Sequence, residues 1–357
     1  MSLAWSSIIC LFLLASVEAV SAAHIYQGQQ DLRHSGQKQF QKKAVSRHKA
    51  IIVDKSGHGD FSKIQSAIDS VPSNNKHWVH IKVKAGIYRE KVNIPGDKPH
   101  IVLQGEGKKK TIVDWADHDS SAQSPTFLTM ANNIVVKSMS FRFIFVVNHV
   151  EQNSYNYPKY VHSMTPAVAA MISGDKSSFH NVGFYGLQDT LWDEQGRHYF
   201  NSCTIQGAMD FIFGTGQSLY ERCSISVLEA CPGEAVIGFI TAQGRTGPND
   251  ANGFVFKNCN IHGFGKTYLG RPWRGYARVL FYQTKMSDIV QPLGWQPWNS
   301  AGHEGRITFA EEDNFGPGSN TSQRVSWLKK LSPLTVKEMT STRFVDMEGW
   351  LNIHHRL

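Results

Sequence analysis

The sequence predicts an all-β fold, a right-handed parallel β-helix: a solenoid of short strands with short capping helices. Three observations point there. One six-residue pattern (apolar, x, x, small or apolar, x, apolar) recurs along the chain. Most successive copies start 20 to 25 residues apart. Strand-like runs such as Ala50-Ile-Ile-Val, His80-Ile-Lys-Val and Ile101-Val-Leu are broken by Gly, Asn and Asp.

The copies are Val136-Lys-Ser-Met-Ser-Phe141, Phe179-His-Asn-Val-Gly-Phe184, Phe200-Asn-Ser-Cys-Thr-Ile205, Tyr220-Glu-Arg-Cys-Ser-Ile225, Phe256-Lys-Asn-Cys-Asn-Ile261 and, more loosely, Phe281-Tyr-Gln-Thr-Lys-Met286. Their spacings are 43, 21, 20, 36 and 25. The 43 reads as two turns, and the 36 as one turn stretched by a loop. Alternation within each copy is a strand pattern. Each unit is too short for a propeller blade, whereas stacked coils bury one another's apolar faces. A β-sandwich also spaces its strands closely, but rarely keeps one residue class in one register.

The ends of a solenoid need covering. Phe61, Ile64, Ile68 and Val71 lie at helical spacing behind Asp60, which fits an N-cap, so a helix here plugs the first coil. Ser332-Pro333 reads as N-cap and first residue of a short helix at the far end.

The chain has 357 residues, 41% of them hydrophobic and 18% charged, which excludes a disordered protein. Lys plus Arg number 37 and Asp plus Glu 29, a net charge of +8, so a polyanionic partner fits. Ile8 to Val17 is an apolar run followed by Val20-Ser-Ala-Ala23. That is the size of a signal-peptide core and too short to span a bilayer, so residues 1–23 read as a signal peptide and the protein as secreted, with no membrane partner. Residues 24–49 read as a disordered basic leader or propeptide. Six basic residues there (Arg33, Lys38, Lys42, Lys43, Arg47, Lys49) against Asp31 supply +5 of the +8. The folded domain is then 50–357.

Of five Cys, Cys10 falls in the signal, leaving Cys203, Cys223, Cys231 and Cys259 in an oxidising compartment. Cys203, Cys223 and Cys259 share the fourth position of the repeat and stack along one face, close enough for a disulfide or a thiol ladder. The sequon Asn320-Thr-Ser marks Asn320 as a candidate glycan site. No metal-ligand spacing is found, and Arg is not interleaved with aromatics as in nucleic-acid modules.

The densest cluster of unusual residues holds Gly186-Leu-Gln-Asp-Thr-Leu-Trp-Asp193 and Gly207-Ala-Met-Asp-Phe-Ile-Phe-Gly214. Asp189 and Asp210 differ by 21, the local repeat. On adjacent coils they sit side by side, about 4.8 Å apart. Two carboxylates that close do not both ionise cheaply, so one is driven towards its protonated form, giving an acid and a nucleophile in one place. Asp is common in solenoid turns, so either residue alone reads as structural. The segment Tyr268-Leu-Gly-Arg-Pro-Trp-Arg274 adds Arg271, able to hold one Asp ionised, and Trp273, a platform for a sugar ring.

With these residues the chain resembles the plant-type pectin methylesterases, from about Ala50 to Trp350. The motifs that carry the resemblance are Gly86-Ile-Tyr-Arg-Glu90, Leu187-Gln-Asp-Thr190, Asp210-Phe-Ile-Phe-Gly214, Ile240-Thr-Ala-Gln-Gly-Arg245 and Leu269-Gly-Arg-Pro-Trp273. Only the short basic stretch stands before them, as in the subgroup without an inhibitor-like pro-domain. The resemblance implies the same β-helix and demethylation of cell-wall pectin by a secreted monomer without a cofactor. It implies Asp210 as nucleophile, Asp189 as acid and base, Gln188 as oxyanion donor, and Arg271 as the partner of Asp210. Trp273 and Phe211 would line the cleft, with Arg271 at its floor. It further implies a Cys223–Cys259 disulfide and, among partners, a proteinaceous inhibitor.

One position departs from the pattern. Where the family carries a second oxyanion Gln, this chain reads Thr165-Pro166-Ala-Val-Ala169, and Pro offers no donor. Two rivals follow. A pectin-binding β-helix with reduced or lost catalysis has no need of a close acid pair. A depolymerase on the same fold would use paired acids as well. Gly57-His-Gly59 resembles one motif of that class, but its Asn-Thr-Asp and Arg-Ile-Lys motifs are missing.

Overall fold

The computed structural model describes residues 50–118, 120–143, 165–230 and 236–357. The signal peptide, the leader, Cys10 and Cys231 lie outside the described residues. Three parallel sheets wind the chain into a β-helix. A ten-stranded sheet runs from Ile51–Val53 to Thr308–Glu312, and an eight-stranded one from Gly86–Arg89 to Lys285–Met286. A seven-stranded sheet runs from Val92–Ile94 to Thr267–Pro272.

The repeated pattern is the corner between the ten- and eight-stranded sheets. Its first position forms one ladder, Val136 to Phe179, Phe200, Tyr220, Phe256 and Phe281. Its sixth forms another, Phe141 to Phe184, Ile205, Ile225, Ile261 and Met286. The third position of every copy is left-handed: Ser138, Asn181, Ser202, Arg222, Asn258 and Gln283 have φ between +47° and +55°. One residue therefore turns the chain from one sheet into the next. Inside, the first-position rings stack face to face: Phe179, Phe200, Tyr220, Phe256 and Phe281 lie 4.5 to 4.9 Å apart, within 11° of parallel.

Two expectations about this repeat are corrected. Lys137 pairs directly with His180, so the interval of 43 is one coil with a long insertion rather than two coils. The fourth-position cysteines do stack inward, but Cys203, Cys223 and Cys259 are free, buried thiols. Each Sγ is turned to a carbonyl of the preceding coil, Phe179, Phe200 and Tyr220 respectively, so the Cys223–Cys259 disulfide is not formed.

The plug helix covers Ile64–Asp69 and buries Ile64, Ala67 and Ile68 in the core. Its cap is not Asp60, which instead accepts from Ile52 N. The Glu90 carboxylate, one coil away, accepts from Ile64 N and Gln65 N at 2.9 and 3.0 Å. The C-terminal helix Pro333–Thr340 begins as expected, with Ser332 Oγ accepting from Thr335 N. Its place differs, because it does not close the end. The segment from Met339 to Leu351 packs on the outer face of the ten-stranded sheet, over Tyr199, Leu219, Val255, Leu280 and Ala310. Val325, Trp327 and Leu328 cover the core near the last coil.

Candidate active site

The seven-stranded sheet carries the site on its outer face. Gln188 bridges Met209 in parallel, which sets Asp189 beside Asp210 on the next coil, and Asp189 N donates to Met209 O at 3.1 Å. Both Asp residues are left-handed, with φ of +59° and +46°, a conformation Asp tolerates well. Arg271 reaches back from the strand Thr267–Pro272. Its Nε donates to Asp210 Oδ1 at 2.9 Å and its terminal nitrogen to Oδ2 at 2.5 Å, a two-pronged pair. The guanidinium lies between two rings, 4.2 Å from the Phe239 centroid and 3.9 Å from that of Trp298.

Asp189 has a different partner. Ser121 Oγ donates to its Oδ2 at 2.7 Å. Burial, with the neighbouring Asp210 charge adding to it, pushes the Asp189 carboxyl up to about 7 against the pull of Ser121 and Arg271. Burial also raises Asp210, and there the guanidinium in direct contact opposes it. Of the coupled pair, the proton resides on the carboxyl without the guanidinium, which is Asp189.

Beside the acids runs an outward-facing row in register: Met171, Trp192, Phe213, Ala242 and Arg271. Trp192 and Phe213 are stacked at 5.2 Å, and Trp273 meets Phe213 edge-on at 6.1 Å. Gly244 leaves room for the Trp273 ring, since a Cβ there would stand 2.8 Å from the indole. This apolar floor with charged groups at one end suits a sugar chain carrying polar substituents.

The site brings Asp189, Asp210, Gln188, Arg271 and Trp273 onto one face. The Gln188 side chain has no hydrogen-bond partner among the described residues, which leaves its amide able to donate. Phe211 is a correction: it is wholly buried in the interior core, and Phe213 faces outward in its place. Thr165 Oγ1, adjacent to Pro166, is buried without a hydrogen-bond partner among the described residues. Ala167 N donates to Gln188 O, so this segment lies one coil from Gln188. Asn320 is exposed and its side chain caps a turn at Ser322 N. Sequence reasoning missed Ser121, Phe239, Trp298, Trp192 and Phe213. Strand alternation from Leu191 would have found Trp192 and, one coil on, Phe213. For the other three the sequence holds no local signal.

The family model for Pectinesterase matches residues 50–348. Two curated relatives from Arabidopsis thaliana, "Probable pectinesterase 55" and "Probable pectinesterase 29", are 56% and 55% identical over 305 residues. Each alignment covers 84% of this chain, and 89% and 88% of the relatives. Among solved structures, a pectin methylesterase from carrot superposes with a TM-score of 0.78 at 28% identity, covering 87% of this chain and 98% of that one. One from Aspergillus niger gives 0.71 at 26%, covering 86% and 97%. A family match over most of the chain, close relatives of similar length, and a shared solenoid agree, and the chain belongs to the pectinesterase family.

Proposed function

We infer that this chain is a carboxylic ester hydrolase that removes methyl esters from the galacturonate units of pectin, giving methanol and free carboxylates. The observation that carries the reading is the asymmetry of the acid pair: Asp210 is clamped by Arg271, and Asp189, one coil away, is biased towards its protonated form. In this scheme Asp210 attacks the C6 carbonyl carbon, and the resulting oxyanion takes a hydrogen bond from the Gln188 amide. As the C–O bond to methoxide breaks, Asp189 transfers its proton to the leaving oxygen. Asp189, now a carboxylate, takes a proton from water. The hydroxide attacks the acyl carbon and releases Asp210. Both Asp residues return to their starting protonation states. Trp273, Phe213 and Trp192 form the bed for the sugar chain.

The reading extends to location. The apolar run 8–17, the basic leader 24–49 and the sequon at Asn320 support a cleaved signal at 1–23, export to the plant cell wall, and a glycosylated catalytic domain over 50–357. One copy holds every group named here, so a monomer suffices. A proteinaceous inhibitor would meet the same exposed face.

Methanol release from methylated pectin by the purified protein tests the reading. Release that disappears in Asp210→Asn, with the fold intact by circular dichroism, is the expected result. Binding of pectin with no methanol at any pH would establish the binding module instead, and new reducing ends would establish a depolymerase.

A further inference from the structure

A cavity of about 480 Å³ has neither acid, nor Gln188, Arg271 or Trp273, in its wall. Its walls include Arg245, Tyr276, Arg278, Arg306 and Thr308, with Met339 of the C-terminal helix closing one side. Arg245 is buried, and its N–H groups go to the carbonyls of Asp250 at 2.9 Å, Tyr276 at 3.5 Å, and Pro248. Arg278 donates to the carbonyls of Asn252 at 2.9 Å and Ala251. Carbonyls orient a guanidinium without cancelling its charge. Among the described residues none of Arg245, Arg278 and Arg306 forms an ion pair with a carboxylate. Asp250 is the acid facing Arg245 and Arg278, and it is tied into its own turn by Gly247 N at 2.7 Å and Thr246 Oγ1 at 2.9 Å. Lys329 adds a further cation, its amine bonded to the carbonyl of Gly305 in the cavity wall at 3.1 Å. Crowding is felt: burial and then the charge of Arg245 pull Arg278 down to about 10.

Cavity and cleft share one turn. Trp273, at the cleft, donates its N–H to Gln243 O at 3.0 Å, and Tyr276, in the cavity wall, donates to Arg245 O at 3.2 Å. Arg306 lies over the Tyr276 ring, 6.0 Å from its centroid, so a planar cation and an aromatic face stand together.

We propose that the cavity among Arg245, Arg278 and Arg306 binds a carboxylate-bearing sugar unit of de-esterified galacturonan, as a subsite separate from the acid pair. The identity of the polyanion rests on the pectinesterase reading. The space suits a sugar ring rather than a bare anion, the guanidiniums supply forked donors for a carboxylate, and Tyr276 offers the ring a face. Esterified units carry no charge for these arginines, so the subsite holds chains that already contain demethylated stretches.

The probe is a fully de-esterified oligogalacturonate, which is not turned over, titrated calorimetrically into the wild type and into Arg306→Ala, Arg278→Gln and Trp273→Ala. Arg306 is exposed, so its removal leaves the fold intact. Affinity is expected to fall about tenfold in Arg306→Ala, the size of one charge-assisted bond. Turnover of a short, fully methylated oligomer should stay at the wild-type level in that variant. The loss caused by Arg306→Ala should persist in a Trp273→Ala background, which separates the cavity from the cleft. Wild-type affinity in folded Arg306→Ala and Arg278→Gln overturns the proposal. So does inorganic phosphate competing as well as the oligomer, which would reduce the cavity to a plain anion hole. Absence of methanol release by the wild type would instead count against the parent reading.

Discussion

Ser121 donates its hydroxyl to Asp189 Oδ2 at 2.7 Å across 68 residues of sequence. A donor stabilises the carboxylate form, so Ser121 restrains the rise that burial and Asp210 impose on Asp189. Ester cleavage in the free enzyme requires Asp189 protonated, so the alkaline limb of kcat/KM reports its pKa, about 7. In Ser121→Ala this limb should move to higher pH. Ser121→Thr, which keeps the hydroxyl, should restore it. An unmoved limb in Ser121→Ala would remove Ser121 from the proton bookkeeping.

The contrast between Asp210 and Ser121 shows what the chain exposes to a reader. The coil repeats every 21 residues around the site, so Asp189 and Asp210 reveal their adjacency by subtraction. Ser121 reaches Asp189, and Trp298 reaches Arg271, from segments outside the repeat, where no period links them. Phe211 departs from its expected place for a related reason. Asp210 is left-handed, which breaks strand alternation at the motif itself, so Phe211 turns inward and Phe213 outward. The interval of 43 mimics two coils because an insertion can match the period while adding no strand to the sheets. The corner residues from Ser138 to Gln283 left almost no compositional trace, since Ser, Asn, Arg and Gln all occupy the left-handed position.

Asp189 also links activity to stability. Its folded pKa of about 7 lies above the ordinary carboxyl value of 3.8, so the folded state holds a proton that the unfolded chain has lost between those values. Stability therefore falls as pH rises through that window. Asp189→Asn removes the penalty. At pH above about 7 the variant should be more stable than wild type, by an amount on the order of one to a few kcal/mol. At pH below about 4 the difference should vanish. Melting temperatures of both proteins across pH check this, with methanol release lost in the variant. A variant equally stable at both ends would mean that Asp189 pays no desolvation cost.

Arg271 is held by Phe239 and Trp298 as well as by Asp210. Trp298 is 38% exposed, so its removal leaves the core undisturbed. Losing one cation–π face of about 1 kcal/mol should cost Trp298→Ala several-fold to about tenfold in kcat/KM. Trp298→Phe should retain most of the activity. Equal rates for Trp298→Ala and wild type would leave the guanidinium positioned by Asp210 alone.

Asp193, which shares a motif with Asp189, belongs to the interior. Its carboxylate accepts from Tyr220 Oη at 2.5 Å and lies 2.6 Å from His198 Nδ1, while His198 Nε2 faces Gly174 O at 3.0 Å. Both ring nitrogens meet acceptors, so His198 ties the Asp193 carboxylate to the Gly174 carbonyl inside the core. Asp193→Asn takes one partner from that pair and should destabilise the fold by about 3–5 kcal/mol, seen in chemical denaturation. It is therefore no neutral control for Asp210→Asn. A control that spares the core is Asp288→Asn, exposed and outside both the site and the arginine cavity, with wild-type stability and methanol release expected.

Pro166 stands where the family pattern places an oxyanion-hole Gln, one coil before Gln188, and beside it Thr165 Oγ1 is buried with no partner among the described residues. A buried hydroxyl left unpaired costs free energy unless something it can bond arrives. Were the developing oxyanion of the substrate that partner, Thr165 would stand in for the missing Gln. If Thr165 fills the role, Thr165→Val, which keeps the shape and drops the hydroxyl, should lower kcat by about 10²-fold with KM little changed. Pro166→Gln should then raise kcat only modestly in the wild type, but rescue Thr165→Val substantially, because the new amide supplies the missing donor. Unchanged kcat in Thr165→Val, together with a large gain in Pro166→Gln alone, would show that the hole runs on Gln188 without help from this segment. Single-turnover methanol release with a fully methylated oligomer separates these outcomes, since it reports acylation free of product release.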